Sequence, residues 1–546
     1  MQSSLENSSW PLIFPAPAHP LSTTRVSAIL GLAVAGDYLF WKQAAGLNWL
    51  VYMLLLVAAQ LVLLPRHAPV RRTGGFWVAV LGCLASGAAV AWYGSGAAVL
   101  AALGSGLLLV GLVNQPALQL VGSAVLTAVL ALGPGLRALL GSVRAPRRAG
   151  AQLRRGWFYG RLLGVPLLAL GVFQGLFALA NPRYATLSER VWDELGEGLA
   201  RLLAAVSVPH LLFLLGCAVA AAGALAAVPV YFFTDRESGR GEYVRRRRDG
   251  VASLAVRRPD FRLSPRRLLD LRKEWLAAGA CFGLLNALLA AVNAVDISWI
   301  WLDFRPAPGF DLTQFVHEGT YVLIFSILLA AGIMLWFFRR NLNFYQPGLP
   351  LLRWGATLWV GQNAFLALSV GLRNYYYILY TGLAYKRIGV MAFLVLTLFG
   401  LATLLLKIWQ RRTVFSLLRL NSWATYAVLL ALAFGNWEIW IARYNLQGRF
   451  TRLDVGFLLA MPPRVLPVLA ARAALLDRVP ELVEEGDDSY YHRLAPARAH
   501  ELLRQRLFDF KREYPTRDWQ SRTGAAESAY TELTSTLLPR PLAARR

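Results

Sequence analysis

The sequence predicts an all-α, polytopic transmembrane helix bundle of about twelve spans (roughly eleven to thirteen), closed by a small polar helical C-terminal region. Three observations carry this. Hydrophobic residues make up 56% of the 546-residue chain and charged residues only 16%, where a soluble chain carries about 25%. Apolar runs long enough to cross a hydrocarbon core of roughly 30 Å recur almost to the end. The period-2 alternation of a transmembrane barrel is absent. A bundle of soluble helices is excluded too, since so many helices apolar on every side would leave no polar surface.

The elements follow in chain order. A tail over 1–24 has no basic n-region and no cleavage site, so the first apolar segment is expected to be retained. The N-terminal transmembrane region, 25–139, is expected to hold spans at 25–41, 45–64, 76–93, 96–113 and 118–139. A basic loop over 140–158 carries Arg144, Arg147, Arg148, Arg154 and Arg155. The next unit, 159–233, reads as a hairpin of spans 159–180 and 209–233. Between them Thr186 and Glu189 form a capping box. Val191, Trp192, Leu195, Leu199 and Leu202 then repeat with helical spacing, which predicts an interfacial helix over 186–208. A second basic loop covers 234–274. Spans at 275–295, 318–338, 354–372, 388–408 and 422–442 build a C-terminal bundle over 275–442, and a polar region takes up 443–546.

The net charge of +25 raises the possibility of a nucleic-acid partner. Its distribution argues otherwise. Arg245 to Arg248, Arg257, Arg258, Arg266, Arg267, Arg272 and Lys273 crowd one loop, and Arg339, Arg340, Arg353, Arg411, Arg412 and Arg419 fall in short turns on the same side. That is the positive-inside pattern, which makes this side cytoplasmic and anionic lipid headgroups its expected partner. One conflict remains. Five spans before residue 140 place Arg66, Arg71 and Arg72 outside, so either an early span is miscounted or that loop breaks the rule.

Cys83, Cys217 and Cys281 lie singly in apolar runs and read as packing residues. No metal site or cofactor is expected. The segments 318–372 and 385–442 share a pattern of apolar helix, basic turn, Leu-Leu-Arg and apolar helix, which is either a parallel repeat or the common look of helical hairpins.

Candidate site residues fall into three groups. His317 and Glu318 open the span near 318. A zincin helix would need a second His at position 321, which is Tyr321, so the pair is either an interfacial feature or a general base. Arg373, Tyr375, Tyr385, Lys386 and Arg387 flank a loop on the same outer side. They form an aromatic belt or a cleft for an anionic headgroup. Asp37, Lys407, Glu438 and Arg443 are charges within or near the ends of spans. Lys407 is close enough to an end to snorkel, and Glu438 either pairs with an arginine or carries a proton. Walker A, Rossmann and nucleophile-elbow motifs are absent.

Several of these stretches resemble a broad group of uncharacterised bacterial multi-pass membrane proteins catalogued as a domain of unknown function. They are Asp37-Tyr-Leu-Phe-Trp41, the segment from His317 to Tyr321, Asn363 to Arg373, Tyr380 to Arg387 and Ile441-Ala-Arg-Tyr-Asn445. Ala384 stands where the group's element has Thr. Many members carry a basic segment in place of His317-Glu318, which ties any role of that pair to a subfamily. The resemblance implies the bacterial inner membrane and supplies no catalytic residues. The functional expectation is a non-enzymatic transporter-like or envelope-sensing protein. The alternatives are a membrane-embedded transferase acting on a lipid-linked or anionic substrate at the outer face, with His317 or Glu318 as base, and an assembly scaffold.

Overall fold

Short polar side chains start the apolar helices. Ser22, Thr73, Ser95, Ser207 and Thr413 each accept a backbone N–H three residues on, satisfying a donor that lipid cannot. The computed structural model describes residues 20–142, 207–245, 271–302, 312–338, 341–345, 348–448, 454–478 and 496–535, with Pro166, Leu170, Phe173, Gln174, Arg183 and Tyr184 between the first two stretches. Most of the expected span 159–180, of the interfacial helix 186–208 and of both basic loops lies outside the described residues.

The described chain is helical, with one isolated β-bridge between Tyr243 and Arg412. Its first half holds α1 (Thr23–Phe40), α2 (Leu47–Leu63), α3 (Gly74–Tyr93), α4 (Gly96–Asn114), α5 (Val121–Leu130), α6 (Leu132–Ser142), α7 (Val208–Leu225) and α8 (Phe232–Ser238). The second bundle holds α9 (Leu271–Asp296), α10 (Leu312–Phe337), α11 (Leu349–Thr381), α12 (Tyr385–Gln410) and α13 (Val414–Ala433). The C-terminal unit holds α14 (Trp437–Asn445), α15 (Val455–Ala460), α16 (Leu466–Ala471), α17 (Pro496–Glu513) and α18 (Gly524–Ser535). By length and composition, 7 of the described helices can cross a membrane, the continuous α5–α6 helix Val121–Ser142 counted among them. The all-α bundle is therefore the observed class.

Three cores match these three groups. The first joins α1 to α7 and takes in Tyr426 and Ala433 of α13, with Ser105 and Tyr426 hydrogen-bonded at 2.8 Å. A second lies among α9, α10, α11 and α12. The third belongs to the C-terminal unit, where Leu458, Leu466, Leu503, Phe510 and Tyr514 pack together.

Contacts at the helix ends define two faces. On one, the C-terminal unit sits over the α1–α2 turn. Gln43 Nε2 donates to Asp518 at 2.8 Å, the Ala44 N–H to Ser521 Oγ at 2.9 Å and the Leu47 N–H to the Arg522 carbonyl at 3.1 Å. A Cβ on Gly94, after α3, would meet Thr523. On the opposite face Arg25 reaches the Leu225 carbonyl at 2.9 Å, and Gln60 reaches that of Ala224 at 2.9 Å. Helices α1 to α4 therefore alternate in direction, and the loop with Arg66, Arg71 and Arg72 lies away from the C-terminal unit. It shares its face with Arg419, which pairs with Glu242 at 2.5 Å and donates to Gln119 at 2.8 Å.

This resolves the charge conflict, because the expected span 118–139 does not cross. Gln119, before α5, takes its N–H to Glu237 at 2.8 Å, on the basic face. Ser142, at the end of α6, accepts from the Leu21 N–H at 2.7 Å, just ahead of α1 and on the same face. The α5–α6 helix carries Pro134 in its second part, and close backbone contacts hold it: a Cβ on Gly111 would strike Ala124, and one on Gly135 would meet the Ala222 carbonyl at 2.6 Å. Length and apolarity alone are satisfied equally by a crossing helix and by one that returns to its own face. A second difference concerns the expected span 422–442. The helix stops at Ala433, where Trp437 Nε1 donates to the Leu432 carbonyl at 2.7 Å, and Glu438 starts a separate short helix.

The two hairpins of the suspected repeat run in the same sense but turn differently. The first uses a 3₁₀ turn over Asn341–Phe344, the second a left-handed Arg411 with φ 54°. Duplication is not required to explain them. In a background cleared of native cysteines, His67→Cys and Gly141→Cys are expected to react with an impermeant thiol reagent from one side of the membrane, and Gly96→Cys from the other. Labelling of positions 67 and 141 from opposite sides would contradict this topology.

Candidate functional site

Helices α9 and α11 run parallel, and polar side chains join them turn after turn. Trp275 Nε1 donates to the Gly348 carbonyl at 3.0 Å. Asn286 Nδ2 donates to the Gly355 carbonyl at 3.0 Å and accepts from Gln362 Nε2 at 2.7 Å on Oδ1. Asn293 Nδ2 reaches the Gln362 carbonyl at 3.3 Å. Asp296 Oδ1 then pairs with Arg373 Nη2 at 2.6 Å, with both residues buried. A π-helical segment, Ile297–Trp301, continues α9 beyond the expected span end at 295. It brings Trp301 Nε1 to Ser369 Oγ at 3.0 Å and stacks the indole on Phe365. One interhelical hydrogen bond in a bilayer contributes roughly 0.6–2 kcal/mol. Repeated along a parallel pair, such bonds fix register, since any slip leaves several groups unpaired at once.

The seam contains a buried charge pair, Asp296–Arg373, between these two helices. An ionised side chain within a bundle is costly and needs its partner. Removing either side leaves a buried charge, at about 3–5 kcal/mol.

The other intramembrane charges sit apart from it. Lys407 is buried, and its Nζ donates to the Phe338 carbonyl at 2.7 Å, which also accepts from Asn343 Nδ2 at 2.9 Å. It does not snorkel; it caps the C-terminus of α10, where a cation meets the negative end of the helix dipole. Asp37 pairs with His210 at 2.9 Å beneath a Trp41–His210 stack. Glu438 pairs with Arg464 at 2.5 Å, both buried, and Tyr385 faces the same carboxylate. Arg443, its expected neighbour on α14, is exposed instead. Lys407 and Tyr385 lie 22 residues apart on α12, roughly 33 Å at helical rise. Lys407 and Glu438 therefore do not share one cavity.

Arg387 is internally engaged: it donates to the Thr381 carbonyl at 3.3 Å and to that of Gly382, and lies over the Tyr377 ring at 4.1 Å. Tyr375 and Lys386 are exposed. His317 and Glu318 fall in the described backbone of α10, while their side chains lie outside the described residues.

Two motifs far apart in sequence lock together at this face. The N–H of Leu383 donates to Asn445 Oδ1 at 2.7 Å, and Asn445 Nδ2 returns a bond to the Leu383 carbonyl at 2.9 Å. Gly382 has φ +92°, and a Cβ there would meet Asn445 Oδ1 at 2.7 Å. The site residues that the sequence reading missed are Asp296, Asn286, Asn293, Gln362, His210, Arg464 and Asn445. A signal existed for three of them, because Asn286, Asn293 and Asp296 recur at spacings that place them on one face of an apolar helix.

The fold and its polar seam define a multi-pass helical membrane protein. More particularly, the chain belongs to the family described as a domain of unknown function, DUF4153, matched over residues 27–471. No curated protein matches it, and no solved structure does.

Gly382→Ala is expected to cost roughly 1–3 kcal/mol, since the side chain combines a strained φ with a clash. Gly389→Ala, inside α12 at a position with nothing within 4 Å, serves as the control and is expected to be neutral or slightly stabilising. Equal thermal midpoints for the two variants in detergent would contradict the lock.

Proposed function

We propose that this chain is a non-enzymatic, transporter-like or envelope-sensing protein of the bacterial inner membrane, with the basic face in the cytoplasm. The observation that carries the reading is the buried Asp296–Arg373 pair in the seam between two parallel helices. Ionisable pairs at such positions are the usual responsive elements of transporters and sensors. An ion pair between separate helices also gives a two-state device: protonating the carboxylate or hydrating the guanidinium weakens the link and frees α9 from α11.

Positive residues set the orientation. Arg66, Arg72, Arg236, Arg240, Arg411 and Arg412 share the face opposite the C-terminal unit with the internally engaged Arg71 and Arg419, and the first six are the ones left to meet lipid. Their proposed partners there are anionic lipid headgroups, each basic side chain near the surface contributing about 1 kcal/mol.

The transferase alternative draws less support from the same geometry. Its phosphate-holding residues would be Arg373 and Arg387, and both guanidiniums are engaged within the protein. The scaffold alternative needs a C-terminal region free to dock elsewhere, whereas the 518–524 segment is bonded to the α1–α2 turn.

Vesicles holding the purified protein and a pH-sensitive dye test the reading under an imposed potential. Wild-type protein is expected to pass protons faster than protein-free vesicles, and Asp296→Asn to return the rate to that background. The reading fails if wild-type vesicles are no faster than empty ones and cells carrying Asp296→Asn meet envelope stress like the wild type.

A further inference from the structure

Arg353, early in α11, and Arg411, the residue that ends α12, come together at the basic face. Arg353 lies over the Trp409 ring at 5.7 Å, and Trp409 stands two residues before Arg411. Trp409 Nε1 donates to Thr357 Oγ1 at 3.0 Å, one turn beyond Arg353. Arg411 lies over the ring of Phe344, in the turn before α11, at 5.1 Å. The guanidiniums are close enough for the Arg411 charge to act on Arg353, and like charges at short range repel. Neither has a carboxylate partner among the described residues. Glu242, in the segment bonded to residues 411–413, is taken up by Arg419 at 2.5 Å, and Lys407, one turn before Arg411, adds another cation. Arg353 Nε is buried and finds no acceptor among the described residues, although buried donors are almost always satisfied. Arg411 has a left-handed backbone, φ 54°, at a helix end where Gly or Asn is the ordinary residue. Such strain is characteristic of functional positions.

We propose that Arg353 and Arg411 form a discrete site for the phosphate of an anionic glycerophospholipid. Two guanidinium forks match the several oxygens of one phosphate group. Basic pockets between transmembrane helices on the cytoplasmic side hold anionic headgroups in this way. The neighbouring surface suits the rest of a lipid. Trp354 and Leu358 of α11 and Leu406 and Trp409 of α12 are exposed, and the two indoles meet edge to face at 5.4 Å, joining them into one apolar stripe along which acyl chains can lie. A free phosphate makes no use of that stripe. A zwitterionic headgroup brings its own cation to a cluster of cations. The inference deepens the reading of the basic face, on which the sidedness of the site rests. That reading asks only for a diffuse attraction, in which every exposed arginine counts alike.

The test follows thermal unfolding of the full-length, delipidated protein in detergent, with phosphatidylglycerol, phosphatidylcholine or inorganic phosphate added at constant ionic strength. Phosphatidylglycerol is expected to raise the midpoint saturably by a few degrees, and the other two to leave it unchanged. Arg353→Gln and Arg411→Gly are each expected to lose most of that rise. Arg411→Gly is also expected to keep or raise the lipid-free midpoint, because glycine accepts the left-handed backbone, so it reports on the site even if Arg353→Gln does not fold. Arg66→Gln removes an exposed charge from the same face and is expected to keep the wild-type rise. No rise with phosphatidylglycerol, or a full rise in Arg411→Gly, would overturn the site. An equal rise with inorganic phosphate or phosphatidylcholine would overturn the assignment to an anionic lipid. A loss in Arg66→Gln as large as in Arg411→Gly would overturn the discrete site and leave the diffuse attraction standing. Labelling of His67→Cys from outside intact cells, with the rise intact, would overturn the cytoplasmic reading of the face and keep the site.

Discussion

A bilayer offers no water to an unpaired backbone or side-chain polar group, so every such group must find its partner inside the protein. Most features of this molecule follow from that constraint. Basic side chains serve as helix caps: Lys407 for α10, Arg25 for α7 and Arg71 for α2, where it donates to the Leu64 carbonyl at 2.8 Å. Arg387 and Asn445 close the break between α11 and α12 in the same way. The α9–α11 seam is the longest expression of the rule. Each of its bonds is individually modest, and the register they set together is what places Asp296 against Arg373.

Charge and topology are linked through this same economy of partners. The excess of arginine divides into residues that cap or pair within the bundle and residues that mark one face. Once α5 and α6 are seen to return to the face they left, Arg66, Arg71 and Arg72 join the other surface arginines. The basicity of the chain then describes orientation rather than a polyanionic partner. The C-terminal unit sits on the opposite face, tied at the α1–α2 turn by Asp518, Ser521 and Arg522.

Much of the fold was legible in the sequence, because apolar length and N-capping residues are local signals. The expected span 96–113 matches α4 behind its cap Ser95, whereas the expected span 422–442 begins well inside α13, which starts at Val414 behind Thr413. The path of 121–142 was not legible, since crossing and returning helices of this length share one composition and only the contacts of Gln119 and Ser142 separate them. Individual charges were legible as unusual: Asp37, Arg373, Lys407 and Glu438 all drew notice. Their partners were not. Asp296 lies 77 residues from Arg373 in sequence, and Phe338 offers Lys407 only a backbone oxygen. Glu438 had an arginine nearby on its own helix and pairs instead with Arg464, brought back by the fold of the C-terminal unit. Pairing in this molecule is a tertiary fact, readable from spacing only where one helix supplies several members of a face.

The central claim is that Asp296 and Arg373 form a mutually dependent pair holding α9 to α11. A double-mutant cycle measures it most directly, with thermal midpoints of Asp296→Leu, Arg373→Leu and the double variant in detergent. Each single change is expected to lower stability by about 3–5 kcal/mol, because it strands a buried charge. The double variant is expected to recover at least about 2 kcal/mol relative to the sum of the singles. Additive losses, with no recovery in the double variant, would contradict the account.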